Sequence, residues 1–176
     1  DGATSTALAY LALKGIGIKD VEFLVPNRFE YGYGLTPEIV HFAQDKFKPN
    51  VIITVDNGIS SVEGVKLASE LGIEVLITDH HLPGKTIPDA FAILNPNYQN
   101  SFPSKNLAGV GVIFYFIWAL HSHLEKLNWF EENELSPQDP FHYLDLVAIG
   151  TIADVVILDN NNRILVQKGL NIIRAG

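Results

Sequence analysis

Two short apolar runs, Val51–Val55 (VIITV) and Glu74–Thr78 (EVLIT), each give way at once to an aspartate, Asp56 and Asp79. Between them, Ser61–Leu71 reads as a helix stopped by Gly72. Strand, helix, strand in this spacing is a parallel βαβ unit, because parallel neighbours need a crossover and a helix is the usual one. VIITV is continuous and β-branched, as expected of a strand buried on both faces. In open parallel sheets, sites form where strands end at their carboxyl edge. The two acids therefore stand where a site is expected.

The alternation continues along the chain. Thr4–Lys14 reads as a helix and Val21–Val25 (VEFLV) as a strand. Thr36-Pro37-Glu38 opens a helix to about Phe47, with Thr as N-cap, Pro in the first turn and an acid beside it. Ala90–Leu94 reads as a short strand, followed by a surface loop bearing Pro96, Asn97, Asn100 and Pro103. Val110–Leu127 is an apolar helix; its longest run, Val110–Leu120, is too short to span a bilayer. Glu131–Pro140 is an acidic connection, His142–Val156 is mostly helical, and Arg163–Arg174 is a last helix. The fold class is α/β: an open, mostly parallel sheet with helices on both faces. Because the pattern starts on a helix and at Asp1 rather than Met, a first strand ending at Asp1 is expected to be missing, as in a fragment.

Composition narrows the chemistry. There are no cysteines, so disulfides and thiolate metal sites are excluded. No signal peptide opens the chain, and a cytoplasmic location is expected. Twelve Lys and Arg stand against 20 Asp and Glu, a net charge of −8. A nucleic-acid binder usually shows a basic face. Here the acids read either as a solvated surface or as carboxylates gathered for a cation, with strand-gripping charge elsewhere.

The candidate site gathers Asp1, ahead of the helix opened by Gly2-Ala3-Thr4-Ser5, Asp56 within Val55-Asp56-Asn57-Gly58, Asp79-His80-His81, and Asp154 in an apolar stretch. Singly, each has a plain structural reading. A strand-end Asp caps a turn, a His pair lies on the surface, and a lone acid is hydrogen-bonded in a core. Their coincidence on successive strand ends favours a metal. Oxygen ligands with one or two imidazoles suit Mn²⁺ or Mg²⁺ over zinc. Such a cation beside a helix N-terminus is equipment for phosphate chemistry.

These motifs resemble those of the DHH phosphoesterases, whose name Asp79-His80-His81 spells. Val55–Gly58 is similar to the second motif, Ala153-Asp154 to the fourth, and Asp1–Ser5 to the tail of the first. Pro26-Asn27-Arg28-Phe29-Glu30, Gly32-Tyr33-Gly34-Leu35, Leu107–Val112 and Thr151–Val156 with Asn162-Arg163 resemble the RecJ-type exonuclease branch. The resemblance covers essentially the whole chain and implies a metal-dependent 5′-to-3′ exonuclease on single-stranded DNA, in recombination and repair.

By the same resemblance Asp1, Asp56, His80 and Asp154 would hold the metal, and Asp79 would orient His80. His81 would face the scissile phosphate. Arg28 would clamp phosphate with Asn27 positioning it, or would pair on the surface with Glu30. Gly109 and Gly111 would pack their helix. Two earlier acids of the first motif, which in the family help build a two-metal site, are not in this sequence, which implies either one metal here or an inactive chain. A second DHH-associated domain and an oligonucleotide-binding fold would lie outside this chain. Partners would be single-stranded DNA and a single-strand-binding protein or repair helicase, with no membrane. Other readings are an oligonucleotide or cyclic-dinucleotide phosphodiesterase, a manganese pyrophosphatase, a non-catalytic module of the same fold, or a structural domain with fortuitous acids.

Overall fold

The computed structural model describes residues 1–26, 31–99 and 102–176. The chain divides into two compact units: Asp1–Phe23 with Asn106–Gly176, and Leu24–Lys105.

The unit of residues 24–105 carries the sheet. Helix α2 (Pro37–Phe47) starts after Thr36, with Pro37 at its first position, where a missing N–H costs nothing. It ends at Lys48, whose left-handed backbone stops the helix. Strand β1 (Val51–Val55), helix α3 (Val62–Glu70), strand β2 (Glu74–Thr78) and strand β3 (Ala92–Leu94) follow. The strands pair in parallel, in the order β1-β2-β3. Leu35, Ile39, Val40, Val65, Ala68, Ile73, Val75 and Ile77 form the core under them. Ile77 is fully buried in the central strand. Burying one such side chain contributes about 1.5–3 kcal/mol.

Two expectations are corrected here. Val51–Val55 is not buried on both faces: Val51 is 48% exposed and only Thr54 is buried. The reason is position, since among the described residues β1 is an edge of this sheet. Val21–Val25 forms no strand, and Phe23 and Val25 are exposed. A β-branched run becomes a strand only where a neighbour offers a ladder, and among the described residues none does.

The other unit is helical: α1 (Gly2–Gly15), α4 (Gly109–Lys126), a short α5 (Trp129–Glu132), a 3₁₀ turn (Pro140–Tyr143), α6 (Leu144–Ala153) and α7 (Asn160–Ala175). Leu8, Val110, Ile113, Phe114, Leu144 and Val147 are buried in it. The stretch 131–140, expected as a plain connection, begins inside α5. Trp129 anchors that turn by donating its indole N–H to the Ile16 carbonyl at 3.0 Å. Asp159 caps α7, accepting from the Asn162 amide at 3.0 Å. Asn162, fully buried, ties α7 down by donating to the carbonyls of Asn106 at 2.6 Å and Ile157 at 2.9 Å. Among the described residues no helix is long and apolar enough to cross a membrane.

Candidate metal centre

Register decides which side chains meet. Val55 pairs with Thr78, and Thr78 with Leu94, so the last residues of all three strands lie in one row. The ladder runs one rung further: Asp56 N–H donates to Thr78 O at 3.0 Å, and Asp79 N–H to Leu94 O at 3.1 Å. Asp56, Asp79 and Asn95 are thus the first residues beyond the sheet. Asp56 there takes a left-handed backbone, φ 60°, uncommon outside glycine. The turn is held by Thr54 Oγ1 donating to Asn57 O and Asn57 Nδ2 donating to Val55 O, both at 2.7 Å.

Ligand atoms of Asp56, His80 and His81 all lie within 4.8 Å of one another. His80 Nε2 is 3.1 Å from Asp56 Oδ1. That carboxylate oxygen is buried and receives no hydrogen bond among the described residues; the imidazole approaches it without hydrogen-bond alignment. A buried anionic oxygen without a donor is costly. That carboxylate oxygen and the His80 nitrogen facing it fit a divalent cation, with the His81 ring beside them.

Asp79 does something other than expected. Its carboxylate, 1% exposed, accepts from Ile59 N–H at 2.9 Å, His80 N–H at 2.7 Å and His81 N–H at 3.1 Å. Among the described residues its side-chain partner is the ring of His81, Nδ1 at 2.7 Å from Oδ1. Asp79 therefore orients the His81 ring and holds only the backbone of His80. Its Nδ1–H given to Asp79, the half-exposed His81 ring lines an open cleft of about 360 Å³. Tyr33, Thr36, Ser60 and Ser61 also line it. Tyr33 was quoted in the sequence only as part of a motif. Its hydroxyl donates to Asp56 O at 3.1 Å and sits 3.4 Å from both His81 ring nitrogens. The signal for it was an aromatic residue between two glycines, and Gly32 and Gly34 do adopt φ 77° and 83°.

In the helical unit, the structure brings Asp1 and Asp154 together. Their carboxylate oxygens lie within 4.8 Å of each other. Asp1 is gripped by the N-terminus of α4: Gly109 N–H donates to Oδ2, and Val110 N–H to Oδ1 at 2.8 Å. A carboxylate is favoured there by free amides and the helix dipole. Gly109 thus orients Asp1 through its amide, a role beyond the packing expected of it. Asp154 caps the end of α6, its amide donating to Gly150 O at 2.9 Å. A Cβ on Gly150 would lie 2.3 Å from Thr4 Oγ1, 2.7 Å from Val110 Cγ1 and 3.1 Å from Asp1 Oδ1, so only glycine leaves room there for Asp1. Asn27 and Arg28 lie outside the described residues.

The profile described as the DHH family, N-terminal domain, matches residues 1–151. The single-stranded-DNA-specific exonuclease RecJ of Salmonella typhimurium is 56% identical over 177 residues, covering all of this chain and 30% of the relative. The enzyme of the same name from Escherichia coli is 55% identical with the same coverage. That of Bacillus subtilis is 40% identical over 99% of this chain and 20% of its own length. Among solved structures, exonuclease RecJ bound to manganese superposes with a TM-score of 0.79 at 38% identity, over 96% of this chain and 40% of that one. RecJ from Thermus thermophilus in complex with Mn²⁺ does so with 0.78 at 35% identity, over 99% and 23%. The chain spans about 30% of the length of the first two relatives. With its motifs, its mixed helix and parallel-sheet fold and these matches agreeing, the chain belongs to the DHH family.

Proposed function

We propose that this chain is the phosphodiesterase core of a metal-dependent exonuclease that degrades single-stranded DNA from 5′ to 3′ in recombination and repair. The observation that carries the reading is the convergence of Asp56, His80 and His81 just past the ends of adjacent parallel strands. The names of its relatives support the substrate, and the manganese-bound structures support Mn²⁺, with Mg²⁺ as the alternative cation.

On this reading Asp56 and His80, and in the helical unit Asp1 and Asp154, would be metal ligands. A bound cation supplies Lewis acidity toward a phosphoryl oxygen and an attacking water. The protein's own groups do the rest. His81, its tautomer fixed by Asp79, turns its ring toward the phosphate. By the family resemblance Arg28, with Asn27, is the candidate phosphate clamp. The cleft beside His81 is of a size to take a nucleotide. The net charge of −8 fits a core whose grip on DNA lies in other domains of the full-length protein, a second DHH-associated domain and an oligonucleotide-binding fold. The working place is the cytoplasm, with a single-strand-binding protein or repair helicase as partner.

The test is Mn²⁺-dependent release of mononucleotides from 5′-labelled single-stranded DNA by the full-length protein. This chain runs alongside, with Asp56→Ala as control and a dinucleotide and pyrophosphate as competing substrates. Digestion of the strand, lost in the variant, supports the proposal. Turnover of the small substrates alone moves the protein to another branch of the family, and no turnover with any of them overturns the catalytic reading.

A further inference from the structure

Three residues follow the registered row of strand ends, and two of them are the aspartates already described. The third, Asn95, is 2% exposed and sits where the sequence suggested an ordinary surface loop. Its side chain is used at both ends. Nδ2 donates to His81 O at 2.9 Å, and Oδ1 accepts from Asn97 N–H at 2.8 Å. Asn97 in turn donates through Nδ2 to His80 O at 2.7 Å and Lys105 O at 3.3 Å. Lys105 closes the loop by donating to Pro96 O. Two asparagines, two residues apart, thus hold the carbonyls of two successive histidines.

The chemistry explains the residue type. Beyond Asp79 the chain has left the ladder, and its partly buried carbonyls need donors from elsewhere. A short neutral amide gives a donor and an acceptor from one side chain. Aspartate would set a charge against a carbonyl oxygen, and alanine would leave that oxygen bare. Of the two rings, His81 is held by Asp79, while His80 faces Asp56 at 3.1 Å with no hydrogen bond between them. The peptide planes held by the asparagines therefore decide where each ring points.

We infer that Asn95 and Asn97 are positioning residues with divided roles: Asn97 acts through His80 on metal affinity, and Asn95 acts through His81 on turnover. The inference rests on the proposed function for the roles of the two histidines.

The experiment uses the full-length protein and the variants Asn97→Ala and Asn95→Ala. Mn²⁺ binding is read from the electron paramagnetic resonance signal of the free ion, hydrolysis from mononucleotide release, and folding from thermal melting. Asn97→Ala is expected to weaken Mn²⁺ binding about tenfold, the lower end of what supporting partners of metal ligands contribute, and to keep most of its turnover at saturating Mn²⁺. Asn95→Ala is expected to bind Mn²⁺ as the wild type does and to turn over about tenfold more slowly. Should Asn95→Ala not fold, Asn95→Ser, which keeps a short hydroxyl donor, is expected to fold and to show the same slowing in weaker form. Equal shifts in both variants, or a change in melting temperature alone, would overturn the division of roles. A wild type that binds Mn²⁺ but hydrolyses nothing would strike the functional reading, while unchanged Mn²⁺ binding in Asn97→Ala would strike the inference itself.

Discussion

The carboxylate of Asp79 grips the ring of His81, two residues on, at 2.7 Å, and leaves the ring of His80 to face Asp56 at 3.1 Å. One acid thus treats two adjacent imidazoles differently, holding the ring of one and only the backbone of the other. The buried Asp79 holds its neighbour by both ring and backbone, and its second oxygen is taken up by the Ile59 amide.

Asp79→Asn keeps the shape and offers an amide nitrogen where an acceptor stood. If the nitrogen faces His81, the ring loses its partner and its fixed tautomer. Turnover on single-stranded DNA should fall about 10–100-fold, with Mn²⁺ affinity changed much less. Steady-state kinetics across a Mn²⁺ titration separates the two. An equal loss of metal affinity would mean that Asp79 serves His80 after all.

Asp154 and Asp1 place two carboxylates within 4.8 Å, an arrangement that repels itself until a cation joins it. Asp154→Asn removes one charge and keeps the shape. Melting of the cation-free protein should stay level or rise. The further rise that Mn²⁺ gives the wild type by binding the folded state should shrink, and cleavage should be lost. Calorimetry with and without Mn²⁺ reads the first two. Appreciable residual turnover would remove Asp154 from the site.

The sheet was legible because its signals are local. Val51–Val55 and Glu74–Thr78 are strands over those very residues, and the acids after them lie where a parallel sheet puts them. The exposure of Val51 was not legible, since a β-branched run does not say whether its strand lies at an edge. Val21–Val25 has strand composition but no ladder partner among the described residues, and pairing is a property of two segments. Asn95 escaped notice for a related reason. Its sequence neighbours, Pro96 and Asn97, mark a turn, and only the pairing of Thr78 with Leu94 brings it level with Asp56 and Asp79. The choice of Asp79 between its two histidines was equally closed, because it depends on backbone angles that three letters do not carry. Gly150 shows the same limit, since its need for no side chain comes from Thr4 and Val110, far away in sequence.

Gly150→Ala sets two effects against each other. In a helix interior alanine is favoured over glycine by about 1 kcal/mol. Against that, the new Cβ would meet Thr4 Oγ1 at 2.3 Å and Val110 Cγ1 at 2.7 Å, and overpacking of this kind costs about 1–3 kcal/mol. Thr4 and Val110 are short and β-branched, stiff at χ1, and cannot swing aside as a long chain would. The clash should therefore win, with a net loss of stability in urea titration. The same methyl lies 3.1 Å from Asp1 Oδ1, so Mn²⁺ affinity should fall as well. A variant as stable as the wild type, with unaltered Mn²⁺ binding, would show that α6 shifts freely there.

The alkaline limb of stability should come from the helical unit. Burial pushes the Tyr115 phenol above its usual 10.0; the nearby Asp159 adds to this, while the 2.7 Å hydrogen bond to Asn161 opposes it. Burial also raises Tyr143. A phenol that ionises later when folded than when unfolded holds its proton in the native state after the unfolded chain has released it. Stability is then fully present below about pH 10 and is lost as pH rises through the folded value. Tyr115→Phe removes one of these protons. It should flatten the decline above pH 10 while lowering stability at neutral pH by about 1 kcal/mol for the lost bond to Asn161. Urea unfolding at pH 7 and at intervals above pH 9.5 measures both, and an unchanged alkaline slope would assign the decline to other groups.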